Sequence, residues 1–203
     1  AANWHALASN AGRYVQQGSA LLIDAGSTTC DIIPLHRGRP AGEAVDDLQR
    51  LLSGELLYTG VERSPVCALL QTVRYRIVEC PIALEWFATM LDVYLVLGDL
   101  LPDAENRNTA DGQGATIEAA RTRLGRHISA SLSQFSDADA REMAEQAAEQ
   151  QRKMLAQSIQ LVVNGLPESP STVILSGVGE FLARSALERL DYAGDYISLA
   201  TEL

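Results

Sequence analysis

Much of what this sequence lacks narrows its chemistry. It has only three cysteines, Cys30, Cys67 and Cys80. None pairs as CxxC and their spacing matches no zinc ribbon, so reduced, scattered thiols of a cytoplasmic protein are expected rather than a redox or metal centre. No Walker lysine loop and no complete GxGxxG stretch occurs, which argues against a P-loop or a Rossmann dinucleotide site. No apolar run, such as residues 56–58 or 94–97, comes near the ~20 residues of a membrane span. The first residues show no charged-then-apolar leader pattern. The chain opens on Ala1-Ala2-Asn3-Trp4 without a methionine and is read as processed or partial. Basic excess is also missing: 16 Lys and Arg stand against 26 Asp and Glu, a net charge of −10. That balance disfavours nucleic acid or an anionic membrane as partner. Small anions remain admissible, because a few backbone N–H groups bind phosphate locally.

What is present supports a core. Hydrophobic residues make up 47% of the 203 and charged residues 21%, enough for one large domain or two small ones. Helical spacing predicts a helix over 1–18. An apolar run over 20–24, a small polar turn and a β-favouring run over 30–35 predict an antiparallel hairpin. Val45, Leu48, Leu51 and Leu52 predict a short amphipathic helix, followed by a strand over 55–58. A strand over 72–78, a buried helix over 82–97, a surface loop over 102–114 and a helix over 116–129 follow. Ser136 with Asp139 three residues on reads as the N-cap of a long helix reaching about residue 163. A second strand–glycine–helix unit covers 172–190.

Two glycine turns carry the chemistry. In Asp24-Ala25-Gly26-Ser27-Thr28-Thr29 the strand delivers Asp24 to its end, and Gly26 permits a sharp turn. The hydroxyls and amides of Ser27, Thr28 and Thr29 can donate to phosphate oxygens. Asp24 and Asp31 are candidate Mg²⁺ ligands through water, with Asp24 alternatively a base. Taken alone, the turn reads equally as an ordinary hairpin loop, since Gly, Ser, Thr and Asp are turn formers. Gly177, Val178, Gly179 and Glu180 form the second turn, where a ligand can sit at a strand's carboxyl end and a helix N-terminus. Glu180 reads as a charge favouring its helix N-terminus. His5 is a weaker acid–base candidate; His36 and His127 read as turn and surface residues.

The residues Asp-Ala-Gly-Ser-Thr-Thr-Cys-Asp-Ile resemble the second phosphate loop of the actin, sugar kinase and chaperone superfamily, and Ser-Gly-Val-Gly-Glu resembles its adenosine loop. More specifically, the stretch from Leu51-Leu52-Ser53-Gly54-Glu55 through Tyr58-Thr59-Gly60 to Arg63-Ser64-Pro65 resembles hydantoinase/oxoprolinase-like proteins linked to tetrahydromethanopterin and methanofuran one-carbon metabolism. Asn3-Trp4, residues 85–89 and residues 92–94 extend the resemblance over most of the chain. It implies an α/β, ribonuclease-H-like (actin-like ATPase) mixed sheet with flanking helices. It implies one actin-like domain over 1–203 with a helical insertion at about 81–165, the first phosphate-loop domain and a final helix being absent. It also implies transfer chemistry on a phosphate or diphosphate, such as joining an aminomethylfuran diphosphate to a glutamylated tyramine with release of pyrophosphate. Thr59 and Gly60 would then contact nucleotide or substrate, and Glu180 a nucleotide ribose, its helix-end charge being the other reading. Arg63 would offset charge on the leaving group, with a solvated surface arginine as the other reading. Mg²⁺ is the implied metal; ATP use is left open. A small-molecule kinase and a non-catalytic subunit remain the other readings. The implied partners are a second chain supplying the missing half, or further copies of this one.

Overall fold

The computed structural model describes residues 3–202; residues 1–2 of the expected first helix lie outside them. In chain order the elements are α1 (Asn3–Ala11), β1 (Ser19–Ala25), β2 (Cys30–His36), β3 (Arg39–Pro40), α2 (Asp47–Ser53), β4 (Leu56–Leu57), α3 (Val66–Leu69), β5 (Thr72–Tyr75), β6 (Val78–Pro81), α4 (Met90–Leu97), α5 (Ile117–Arg126), α6 (Asp137–Asn164), β7 (Thr172–Ser176), α7 (Glu180–Arg189), β8 (Asp195–Ser198) and α8 (Leu199–Glu202). They form two compact units. One comprises the chain up to Gly60 and from Arg152 onward; the other is Val61–Gln151.

The first unit is built on a mixed sheet of order β3-β2-β1-β7-β8, with β4 also paired to β2. β1 and β2 are antiparallel, as the hairpin reading expects, whereas β1–β7 and β7–β8 are parallel. Side chains alternate across a strand. Ala20 and Leu22 therefore share a face with Leu35, Ile33 and Ile174, and this face packs on Ala8 and Ala11 of α1. Leu21, Ile23 and Ala25 point the other way and are equally buried. Burial on both faces explains why β1 reads as a continuous apolar run rather than an alternating one. Each of these Leu and Ile side chains contributes about 1.5–3 kcal/mol by leaving water.

Helix α2 reverses the expected amphipathicity. Asp46 caps it by accepting from Gln49 N at 2.8 Å, and Gly54 closes it at φ 81°. Val45, Leu48, Leu51 and Leu52 are nevertheless exposed, and Arg50 is the buried residue. The guanidinium is buried because it is bonded there, to Asp31 Oδ1 at 2.6 Å and to the Glu55 carbonyl at 3.2 Å, with Trp4 stacked beneath it. Buried charge persists where such partners exist.

In the second unit, the expected strand over 72–78 is instead the β5–β6 hairpin, turning where Arg76 takes φ 57°. The expected helix over 82–97 begins only at Met90, because Thr89 is extended and Asp92 accepts its N–H at 3.0 Å. Wholly buried Arg123 donates to Asp92 Oδ1 at 2.6 Å and to Asp111 Oδ1 at 3.0 Å, tying down the loop before α5. His127 is buried, not a surface residue, with its ring against Phe87. Burial pushes its pKa down. Helix α6 starts as expected: Asp139 Oδ2 accepts from Ser136 N at 2.8 Å while Ser136 Oγ accepts from Asp139 N at 3.2 Å. Among the described residues no helix is long and apolar enough to cross a membrane, and the three cysteines are free.

Candidate functional site

The candidate site lies where β1 and β7 end side by side. Their parallel register puts Asp24 beside Ser176, and the hairpin register puts Asp24 opposite Asp31. A row Asp31–Asp24–Ser176 thus crosses three neighbouring strands on the face that α1 covers further down. In open α/β sheets, ligands bind outside the carboxyl ends of such strands.

Asp24 is half-buried and its pKa is raised. Burial is the main cause, opposed by the Ser176 hydroxyl and reinforced by the Asp31 charge. Asp31 keeps 18% of its side chain exposed and is ion-paired with Arg50. Cys30, wholly enclosed behind the turn, donates to the Thr59 carbonyl at 3.2 Å. Burial and then the two aspartates push its thiol up to about 12.

The turn between β1 and β2 closes through Gly26 N donating to Thr29 O at 2.8 Å. Ser27 and Thr28 donate no backbone hydrogen bond among the described residues, and Ser27 Oγ lies 3.4 Å from Thr28 Oγ1. The turn thus carries amides and hydroxyls able to receive an anion. Gly60 packs directly against it: a Cβ there would stand 2.4 Å from Thr28 N and 2.5 Å from Gly26 O. Thr59 and Gly60, expected as ligand contacts, are therefore the buried wall of the turn.

The second turn docks on the same place. Gly177 takes φ 87°, and a Cβ on it would lie 2.3 Å from Ala25 O and 2.7 Å from Asp24 Oδ1. Gly179 N donates to Ala25 O at 2.8 Å. Glycine is thus required at Gly177 both for its dihedral and for the approach. Val178 is exposed. Glu180 is engaged, pairing with Arg184 at 2.6 Å and accepting from Ser198 Oγ at 2.7 Å. Arg63 is exposed and belongs to the second unit, and His5 is exposed on α1. Among the described residues, no three His, Cys, Asp or Glu side chains are grouped to hold a metal ion. Sequence reasoning missed the Arg50 pairing and the Ser176 hydroxyl. The hairpin register alone could have placed Asp31 beside Asp24; nothing in the sequence marked Arg50.

A mixed sheet whose antiparallel hairpin and parallel crossover strand converge on two small-residue turns defines the actin-like α/β class. A nucleotide-free structure of acetone carboxylase shares the arrangement, with a TM-score of 0.51 and 14% identity over 88% of this chain and 27% of that one. The chain belongs to the hydantoinase/oxoprolinase family, whose model matches residues 1–198. Curated relatives include a glutamylaminoethyl-phenoxymethyl-furanyl-methanamine synthase of Methanocaldococcus jannaschii, 28% identical over 99% of this chain, and its namesake in Methanococcus vannielii, 27% identical over 88%. The chain spans 62% of the length of the first and 79% of the second.

Proposed function

We propose that this chain supplies the diphosphate-recognising part of an enzyme of methanofuran biosynthesis, which joins an aminomethylfuran diphosphate to a glutamylated tyramine. The observation that carries this reading is the pairing of a half-buried, raised-pKa carboxylate with open amides one turn away, in a chain whose relatives are synthases of that product type.

The reaction balances as follows. The phenol oxygen of the tyramine derivative forms a bond to the furan-methyl carbon, the bond from that carbon to the diphosphate oxygen breaks, and pyrophosphate and the phenol proton leave. The Ser27 and Thr28 amides, with the Ser27, Thr28 and Thr29 hydroxyls, hold the diphosphate and stabilise the charge that develops on its departing oxygen. Asp24 takes the phenol proton. Its burial raises its basicity toward the range in which a carboxylate accepts protons efficiently. The donor set here, one available carboxylate beside a phosphate site, suits Mg²⁺ held chiefly by substrate phosphates and water, which would add charge neutralisation. Gly177 and Gly179 bring the second turn against Asp24 and Ala25.

Thermal unfolding with Mg²⁺-pyrophosphate and with Mg²⁺-ATP, for the wild type and Asp24→Asn, tests this reading. Binding to the folded state raises apparent stability by mass action. Stabilisation by pyrophosphate that weakens in Asp24→Asn is expected. Stabilisation by ATP alone would replace the reading with a kinase.

A further inference from the structure

The second unit has a pocket that the phosphate turn does not explain. Its volume is about 330 Å³ and its walls are Glu62, Arg63, Pro65, Trp86, Thr89 and Asn108. Small-molecule pockets begin at roughly this size. Three chain segments make it, and two of them, 62–65 and 86–89, are fastened together. Pro65 pairs with Thr89 in an isolated antiparallel bridge, Met90 N donates to Ser64 O at 2.9 Å, and Leu91 N donates to Glu62 O at 3.1 Å. The backbone that presents Glu62, Arg63 and Trp86 is therefore held on both sides.

The side chains on that backbone are unspent. Trp86 leaves 57% of its surface in water, an unfavourable placement for an indole that no packing explains. Neither the Arg63 guanidinium nor the Glu62 carboxylate has a side-chain partner among the described residues. An occupant that satisfies all three has an aromatic ring, a carboxylate and an ammonium group. Arginine binds carboxylate in a planar fork, a carboxylate pairs with ammonium, and an indole face takes a second ring in offset or edge contact. A diphosphate satisfies the site less well, because Glu62 repels its charge and Trp86 gains nothing from it.

We infer that this pocket binds the aromatic acceptor through its amino-acid head group, with Arg63 on the carboxylate, Glu62 on the ammonium and Trp86 on the phenol ring. The inference rests on the proposed function for the identity of that acceptor, a γ-glutamyl tyramine. It moves Arg63 from the leaving group, where the family resemblance puts it, to recognition of the acceptor.

The test is calorimetric titration of the full chain with γ-L-glutamyltyramine, with tyramine and, separately, with Mg²⁺-pyrophosphate. Arg63→Ala and Trp86→Ala, both surface changes, are each expected to weaken γ-L-glutamyltyramine binding at least ~10-fold, the size of a lost charged or stacking contact. Tyramine, which lacks the carboxylate, is expected to bind weakly and to ignore Arg63→Ala. Pyrophosphate binding should be unchanged in both variants. The inference is overturned if wild-type protein does not bind γ-L-glutamyltyramine, if the variants bind it as the wild type does, or if Arg63→Ala weakens pyrophosphate instead. Loss of pyrophosphate binding alone in the wild type would sink the phosphate-turn reading and leave the pocket standing.

Discussion

Arg50 donates to Asp31 at 2.6 Å from a helix position almost wholly out of water, and that ion pair fixes one end of the carboxylate row beside the turn between β1 and β2. Removing one partner of a buried pair leaves the other charge uncompensated, which costs about 3–5 kcal/mol. Asp31 is partly exposed, so Arg50→Met is expected near the lower end, about 3 kcal/mol. The double variant Arg50→Met/Asp31→Leu should recover much of that. Urea denaturation of the four proteins of the cycle measures the coupling; additive single costs would show that the pair contributes nothing.

This pair also marks where the sequence stops being legible. β1, β2, β7 and both glycine turns were readable, because a run of apolar residues ending in Asp24-Ala25-Gly26 encodes a buried central strand and its exit. The α2 pattern misled. Leu48, Leu51 and Leu52 have the spacing of a core face, yet they are exposed because Arg50, paired to Asp31 and stacked on Trp4, takes the inward position. Pairing between residues far apart in the chain leaves no periodic trace. The start of α4 was readable in principle, since Thr89 followed by Asp92 is a capping pattern. The apolar residues before it, Trp86 and Phe87, masked the boundary.

Gly60 tests whether the turn's shape matters to anion binding. Gly60→Ala would bring a methyl to 2.4 Å from Thr28 N and 2.5 Å from the Ser27 carbonyl carbon, backbone atoms that can move only by deforming the turn. The expected outcome is a folded protein, destabilised by about 1–3 kcal/mol as for overpacking, in which pyrophosphate stabilisation is lost. A variant that is fully stabilised by pyrophosphate would remove Thr28 and its neighbours from the binding site.

The cysteines offer a chemical check on the site's enclosure. Cys30 is buried and its thiol is pushed up to about 12, so little thiolate exists near neutral pH and reagents have no access to it. Cys67 and Cys80 are half-buried. Labelling of native protein with a thiol reagent should modify these two and spare Cys30 until denaturant is added. Rapid native modification of Cys30 would mean that the wall formed by Thr59 and Gly60 opens.

Asp24 carries the pH dependence. Its folded-state pKa is raised, chiefly by burial and secondarily by the Asp31 charge, so the native fold prefers the neutral acid. The stability this preference contributes is fully present below the unfolded value, near 3.8, and is lost as pH rises through the folded pKa. Above that point the wild type bears the cost of an ionised, half-buried carboxylate. Asp24→Asn removes the titration but keeps the hydrogen-bonding shape. Relative to the wild type, the variant is expected to gain melting temperature as pH rises from below 4 to 7, while its response to Mg²⁺-pyrophosphate weakens. Differential scanning fluorimetry across that range decides the matter. A variant less stable than the wild type by the same margin at every pH would show that the carboxylate is a structural hydrogen-bond acceptor and not a strained functional group.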